Sequence, residues 1–431
     1  MLAERVLTKD AFEKKEVVVA GWVEEFRDLK KIKFIILRDF SGTLQITLPK
    51  AKVKPEVFDI ELTKESVIAV KGTMVDSKDA RGGKELIPEQ IEVLSTAESP
   101  LPIDISGKIE TDLSKRLDWR TIDLRQPKNA AIFKIESELL KGFSDYLNSK
   151  GFIQVFTPSL MGVPSESGSD VFEVKYFDRK AFLRQDPQLH RQLTILGGIE
   201  KIYDIGPSWR AEQSNTVRHL TEHRTCAAEF AFIKNEYDVM EVEEALVVAG
   251  LKRIKEHCKK ELELLGKDFE MPKTPFPVLE FPHIYKILEK HGKKIKEGED
   301  YDSESEKILA DYVKKEHGSD FFFVNKVPFA VKPFYVMRDN SSKWARSTDL
   351  IFKGIEQSSG GQREHRYDEL LKNVEEKGIK NVSWFTDHFK YGAPPHGGFS
   401  IGIERFVMQL LDLPNIREST LFPRDPIRLT P

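Results

Sequence analysis

Apolar and polar residues alternate with period two along the first hundred positions. The runs "EVVVAGWV" (16–23), "KFIILRD" (33–39), "TLQITL" (43–48), "VIAVKGTMV" (67–75) and "KELIPEQIEVL" (84–94) are rich in β-branched residues. Turn signals separate them, such as "DFSG" from Asp39 and "ARGG" from Ala80. Five such runs with little room for helix predict a small closed barrel of the OB type, with another small β topology as the competing reading. "AESPLPIDISG" (97–107) then breaks both periods and reads as a linker. Beyond it the spacing changes. Ile132, Ile135, Leu139, Phe143 and Leu147 recur at helical intervals, Gly151 supplies a stop, and "FIQVFTP" begins a strand. A strand followed by a long helix is predicted from "FAFI" at Phe230 onward. "GGFSIGIERFVMQLLDL" predicts a strand, a close glycine approach and a helix.

Without regular strand–helix–strand alternation, these elements predict an α+β chain: an N-terminal OB-type β-barrel over residues 1–100, a hinge over 101–127, and over 128–431 a mainly antiparallel sheet flanked by helices. The polar, charge-dense stretch at about 284–320 reads as a solvated helical insertion carrying no site.

Composition narrows the class. Lys and Arg number 67 against 70 Asp and Glu, a net charge of -3, so no global charge draws the chain to nucleic acid and only local basic patches remain possible. No apolar run approaches the roughly 20 residues that cross a bilayer. The N-terminus carries charges inside any candidate signal segment. Cys226 and Cys258 alone make no disulfide framework and no cysteine zinc site. A cytoplasmic enzyme or binding protein with no membrane partner is the expectation.

Candidate chemistry comes next. The chain contains neither G-x-x-x-x-G-K-[ST] nor a G-x-G-x-x-G placed after a strand, so a nucleotide would have to be held by arginines and metal rather than by a glycine cradle. Arg210 and Arg218 flank the polar turn in "WRAEQSNTVRHLTEH", and Arg405 sits close after a glycine in "SIGIERF". Their planar guanidinium forks match phosphate oxygens; a surface salt-bridge ladder is the plainer alternative. Asp349 and Glu356 in "STDLIFKGIEQSS" are seven residues apart, an odd separation that faces opposite sides of a straight strand. A hairpin at Lys353–Gly354 would return them to each other with Ser359 adjacent, an oxygen set suited to Mg²⁺. "SSGGQREHR" offers a carboxylate clamp on Arg363, or simply a buried Gln–Arg turn. "QDPQLHRQ" places Gln188 and Arg191 on one helical face. "APPHGG" reads as a tight loop. On the barrel, Arg27, several lysines and Phe34 interleave as they do where bases stack on a ring, although Phe34 fits a core position equally well.

Taken in order, "GFIQVFTPSL" with Pro158, "SWRAEQSNTVRHLTEH…EFAF" and "GGFSIGIERF" resemble the three signatures of the class II aminoacyl-tRNA synthetases. With "SSGGQREHR" and "PPHGGF" between them, the chain resembles the archaeal/eukaryotic-type aspartyl-tRNA synthetases over essentially its whole length. The resemblance implies ATP bent over the sheet, with contacts at Arg210, Ala211, Glu212, Arg218, His219, Leu220, His223, Glu356, Gly402, Ile403, Glu404 and Arg405. Arg210 would hold the α-phosphate, Arg218 and His219 the outer phosphates, and Glu212 the adenine side. Arg405 would stack on the base opposite His223. Catalytic weight would rest on Arg210, Glu212 and Arg405, and Mg²⁺ on Glu356, Ser359 and Asp349. An L-aspartate pocket of Glu166, Gln188, Arg191, Arg210, Ser359 and Arg363 is implied. So is reading of an aspartate tRNA, with asparagine tRNA left open, by Arg27, Phe34, Gln45 and Glu85, in a homodimer.

Three positions depart from the family pattern. Arg191 stands where a lysine is usual, Ala227 where the return strand carries an aspartate, and Asp186 where serine is common. The rival readings are an asparaginyl-tRNA synthetase, an amide-forming paralogue and a non-catalytic tRNA-binding paralogue. The cation at 191 favours an acidic substrate over an amide. The complete barrel counts against the amide-forming paralogue, and the retained Arg210, Glu212, Glu356, Arg363 and Arg405 count against loss of catalysis.

Overall fold

The computed structural model describes residues 1–163, 170–213, 215–340 and 342–431. It divides into two compact units, Met1–Asp104 and Ile105–Pro431. In the first, strands β1 (Glu16–Asp28), β2 (Ile32–Asp39), β3 (Gly42–Pro49), β4 (Val67–Asp76) and β5 (Lys84–Ser95) close into a barrel in the order β1-β2-β3-β5-β4. Each predicted run is a strand. The pleat turns Ile35, Leu37, Leu44, Ile46 and Leu48 inward against Val17, Val19 and Ile68. Phe34 and Ile36 alternate with these and remain half-buried.

The second unit is built on an eight-stranded sheet. Its chain-ordered strands are β6 (Ile153–Gln154), β7 (Leu160–Met161), β8 (Glu173–Tyr176), β9 (Arg179–Leu183), β10 (Lys201–Trp209), β11 (Glu222–Ala231), β12 (Val278–Glu280), β13 (Phe321–Asn325), β14 (Ser347–Phe352), β15 (Ile355–Gln362) and β16 (His396–Gly402). The sheet runs β12-β13-β14-β15-β16-β11-β10-β6, while β7, β9 and β8 form a small sheet of their own. Only the β12–β13 and β10–β6 pairings of the large sheet are parallel, as the mainly antiparallel expectation requires. One face is covered by the helices Pro127–Ser149 and Glu236–His257. Leu139, Phe143, Leu246 and Leu251 from these helices pack on Cys226, Ala228, Phe230 and Ile401. The helices cross at Gly142, where an added Cβ would lie 2.9 Å from the Cα of Gly250. Only glycine permits that approach.

Two expectations shift. The first concerns the segment expected as a hinge over 101–127, which passes into the second unit at Ile105. There the buried Arg120 pairs with Asp123 at 2.6 Å and donates to the carbonyls of Thr420 at 2.9 Å and Leu421 at 3.0 Å, fixing the segment to the C-terminal region. The second concerns the charged insertion, which is helical at His283–Lys290 and Ser303–His317 but is not merely solvated. Ile284, Ile287, Leu288, Leu309 and Val313 pack against Phe322, Val324 and Ile351, and residues 301–306 reach the site described next.

Candidate active site

The face of the sheet opposite the two long helices opens into a cavity of about 400 Å³. Strand alternation decides what it sees. On β11, Cys226 and Ala228 face the helical core, so Thr225, Ala227 and Glu229 face the cavity side. Of the residues expected at the site, Gln188, Arg210, Arg218, His219, Leu220, His223, Glu356, Ser359, Arg363, Gly402, Glu404 and Arg405 line the cavity. Asp349 stands behind Ser359. Ala211, Glu212, Ile403 and Arg191 are absent from its wall, and Ile403 belongs to the helical core. Glu166 lies outside the described residues.

The β14–β15 hairpin turns at Lys353 and Gly354, both at positive φ, 47° and 75°. It sets Ile351 opposite Glu356 and Asp349 opposite Ser359, so the two carboxylates share a face. The ladder slips between Leu350 and Ile351, leaving Gln357 as a bulge. That single extra residue presents Ser359 rather than Ser358 beside Asp349. Ser359 Oγ donates to Asp349 Oδ1 at 2.6 Å, while Ser358 points to the other face and donates to the buried Glu243.

Burial, followed by the nearby Asp349 charge, pushes the Glu356 carboxyl up to about 7. Lys332, which the sequence reading passed over, answers that crowding. Its Nζ lies 2.9 and 3.0 Å from the Asp349 oxygens and 3.2 Å from Ser359 Oγ. The insertion adds Tyr301, whose hydroxyl donates to Asp349 Oδ2 at 3.2 Å. It also adds Ser303 and Glu306, which meet Arg218 at 2.8 and 3.7 Å. Neither contact has a signature in the sequence; only the packing of the insertion brings them in. Among the described residues no three His, Cys, Asp or Glu side chains group as metal ligands. Two crowded carboxylates and a hydroxyl, all oxygen, nevertheless fit a hard divalent cation whose remaining positions are filled by phosphate oxygens or water.

At the end where the sequence leads one to expect a nucleotide, Arg405 stands in the first turn of the helix Ile403–Leu410 and donates to the Glu356 carbonyl at 3.1 Å. Burial lowers its affinity for the proton, and the Glu356 charge opposes that. His223 is pushed down to about 3 by burial and by Arg210 and Arg405, so it meets a ligand as a neutral ring. Glu404 lines the cavity but spends its carboxylate on Arg224, accepting from the backbone N–H at 2.9 Å and the guanidinium at 3.3 Å. Arg210 is exposed on the cavity wall, and among the described residues its side chain has no partner.

At the other end Arg363 is buried. It donates to Glu229 through Nε at 3.0 Å and Nη2 at 3.2 Å, and to Gly398 O at 3.0 Å and Gln188 Oε1 at 3.2 Å. Gln188 in turn donates to Glu229 at 2.9 Å. Gly398 makes this possible, since a Cβ there would fall 2.3 Å from Glu229 Oε2. Arg191 sits behind this group, with Nη2 at 2.6 Å from Asp186 Oδ1 and 3.0 Å from Gln188 Oε1.

The barrel carries a second cluster. Arg27 pairs across the strands with Phe34, and Phe34 with Thr47. Glu85 accepts from Thr47 at 2.6 Å and from Gln45 at 2.9 Å. The four residues expected to read nucleic acid therefore share one outer face, and Phe34 is not among the barrel's core residues.

Comparison with known proteins identifies the family and the fold. The family described as "tRNA synthetases class II (D, K and N)" matches residues 112–426, and an "OB-fold nucleic acid binding domain" matches residues 17–94. The chain is 45% identical to the "Aspartate--tRNA(Asp) ligase" of Pyrococcus horikoshii, covering 97% of this chain and 96% of that one. It is 43% identical to the "Aspartate--tRNA(Asp/Asn) ligase" of Methanopyrus kandleri, covering 96% of each. A solved structure of asparaginyl-tRNA synthetase from Pyrococcus horikoshii complexed with asparaginyl-adenylate superposes with a TM-score of 0.92 at 33% identity, over 99% of this chain and all of that one.

Proposed function

Because the chain belongs to the class II aminoacyl-tRNA synthetases, we propose that it joins L-aspartate to tRNA in two steps at this cavity, working in the cytoplasm as a homodimer. The observation that carries the reading is the cavity's polarity. Arg210 stands free between a nucleotide end lined by His223 and Arg405 and an amino-acid end closed by Arg363. Aspartate rather than asparagine is supported by the relatives at 45% identity and by a guanidinium at the pocket's closed end.

In the first step the substrate's own carboxylate, already ionised, is the nucleophile, so no general base is needed. Arg210 binds that carboxylate beside the α-phosphate and offsets the charge that builds on the phosphoryl oxygens. Arg405 and neutral His223 hold the adenine side. Arg218 and His219 face the outer phosphates, Arg218 after exchanging Glu306 for phosphate. Asp349, Glu356 and Ser359 would hold Mg²⁺, whose chemistry is to neutralise the leaving pyrophosphate. Positioning supplies the rest, since reactants fixed in line no longer pay for their encounter. In the second step a hydroxyl of the terminal adenosine of tRNA attacks the activated carbonyl and releases AMP. The barrel's outer face, with Phe34 for stacking and Arg27, Gln45 and Glu85 for hydrogen bonding, binds the anticodon. The dimer reading is supported by apolar side chains exposed after the helix Pro127–Ser149, with Phe156 85% and Ile153 54% accessible.

ATP–pyrophosphate exchange with Mg²⁺, run with aspartate, with asparagine and without amino acid, tests this. Exchange driven by aspartate alone is expected; exchange driven by asparagine alone would replace the substrate. Charging of separate aspartate and asparagine tRNA transcripts then fixes the tRNA range.

A further inference from the structure

Two guanidiniums stand at the amino-acid end, Arg363 on the cavity wall and Arg191 behind it, and each already has a carboxylate. Glu229 takes Arg363 through both oxygens, and Asp186 takes Arg191. Glu229 also accepts from Gln188, and Gln188 Oε1 accepts from both arginines. These acceptors are filled. Asp186 differs: it lines the cavity and its side chain is 38% exposed. Only Oδ1 is engaged, so among the described residues Oδ2 is a carboxylate oxygen at this end left for a ligand.

Arg191 is placed the other way about. Its side chain is 1% exposed, it is absent from the cavity wall, and its Nε is buried without a partner among the described residues. Ala227, on the cavity face between Thr225 and Glu229, brings only a methyl group where a carboxylate would have been another acceptor.

The substrate read above is a zwitterion whose ammonium needs an anion once its carboxylates are taken up by arginines. We propose that Asp186 binds the α-ammonium of the amino acid and that Arg191 is a positioning residue, holding the Asp186 carboxylate from behind instead of gripping the substrate's side chain. The side-chain carboxylate then falls to Arg363. Asp186 and Arg191 thus act as a unit: an acid on the cavity wall would be mobile and would lose part of its pull without a fixed cation behind it. This rests on the reading that the site activates an amino acid.

The test separates ammonium from side-chain recognition with succinate, which is aspartate without its amino group. The KM for aspartate in pyrophosphate exchange and the inhibition constant of succinate are measured for wild type and variants. Asp186→Asn is expected to raise the KM about tenfold or more, as loss of a charge-assisted hydrogen bond does, and to leave succinate inhibition unmoved. Arg191→Met is expected to act in the same direction, Arg191→Lys to restore most of the loss, and the double variant Asp186→Asn/Arg191→Met to be no worse than Asp186→Asn alone. The double variant also removes the unpaired buried cation that Asp186→Asn by itself leaves, so a folding defect is told apart from a binding one. An unchanged KM overturns the proposal. So does tighter succinate binding in Asp186→Asn, which would make Asp186 a competitor for the side-chain site, or weaker succinate binding in Arg191→Met, which would make Arg191 a direct ligand. If asparagine alone drives exchange, the aspartate reading fails while this one is tested unchanged with succinamate in place of succinate.

Discussion

Lys332 places its ammonium 2.9 Å from Oδ1 and 3.0 Å from Oδ2 of Asp349, so the acidic end of the cavity carries its own cation. The lysine side chain is 13% exposed and that of Asp349 2%. In such surroundings, removing one partner of an ion pair costs far more than the pair is worth against an apolar replacement.

Lys332→Met should therefore leave Asp349 and Glu356 facing each other without the ammonium that Asp349 holds, with Arg405 as the cation remaining near Glu356. The variant is expected to be less stable in EDTA by on the order of 3–5 kcal/mol and to recover a large part of that on adding Mg²⁺. The wild type should gain less from the metal. Thermal unfolding with and without Mg²⁺ checks this, and a variant as stable as wild type in EDTA would show that the lysine does not balance the two acids.

Arg210 offers the opposite case. It is exposed on the cavity wall, and its charge bears on Arg405 and His223. Removing it relieves that repulsion, and an exposed side chain carries little of the packing. Arg210→Ala is expected to leave stability within about 0.5 kcal/mol while lowering pyrophosphate exchange by on the order of 10²–10³. Near wild-type exchange would remove Arg210 from the first step.

How far the sequence exposes this site follows from what each residue depends on. Period-two and helical patterns carry the barrel strands and the helix from Pro127, because burial there is a local property of each element. Arg210, Arg363 and Arg405 are legible because each sits in a compact motif. Ser359 is harder: the choice between two adjacent serines turns on a bulge at Gln357, and nothing in "EQSS" announces it. Lys332 and Tyr301 reach Asp349 across 17 and 48 residues of chain, a distance no pattern spans. Arg191 shows the reverse failure. Its helical spacing with Gln188 is as expected, but its guanidinium is engaged by Asp186 and Gln188 and does not line the cavity.

A pH dependence follows from Glu243. Full burial pushes its carboxyl up to about 8, with the Asp349 charge adding to the shift and the Ser358 hydrogen bond opposing it. The folded chain keeps this proton where the unfolded chain, near 4.5, has released it. Its contribution to stability is therefore complete below about pH 4.5 and is lost as pH rises towards 8. Glu243→Gln, which mimics the protonated acid, should flatten the decline between those limits. Denaturant midpoints at pH 5, 6.5 and 8 for both proteins measure it. Parallel curves would mean that the carboxyl titrates normally.

Phe34 separates the two chemical steps. Its ring is half-buried outside the barrel core, between Arg27 on β1 and Thr47 on β3. Phe34→Ala is expected to cost no more than about 1 kcal/mol of stability. It should leave pyrophosphate exchange without tRNA unchanged, because that step needs only the second unit's cavity. Charging of tRNA should weaken, with its KM for tRNA rising by an amount set by the loss of one base–ring stack, about 1–3 kcal/mol or roughly 5- to 150-fold. If the variant instead unfolds, or loses exchange along with charging, the ring supports the barrel and the anticodon must be read elsewhere on it.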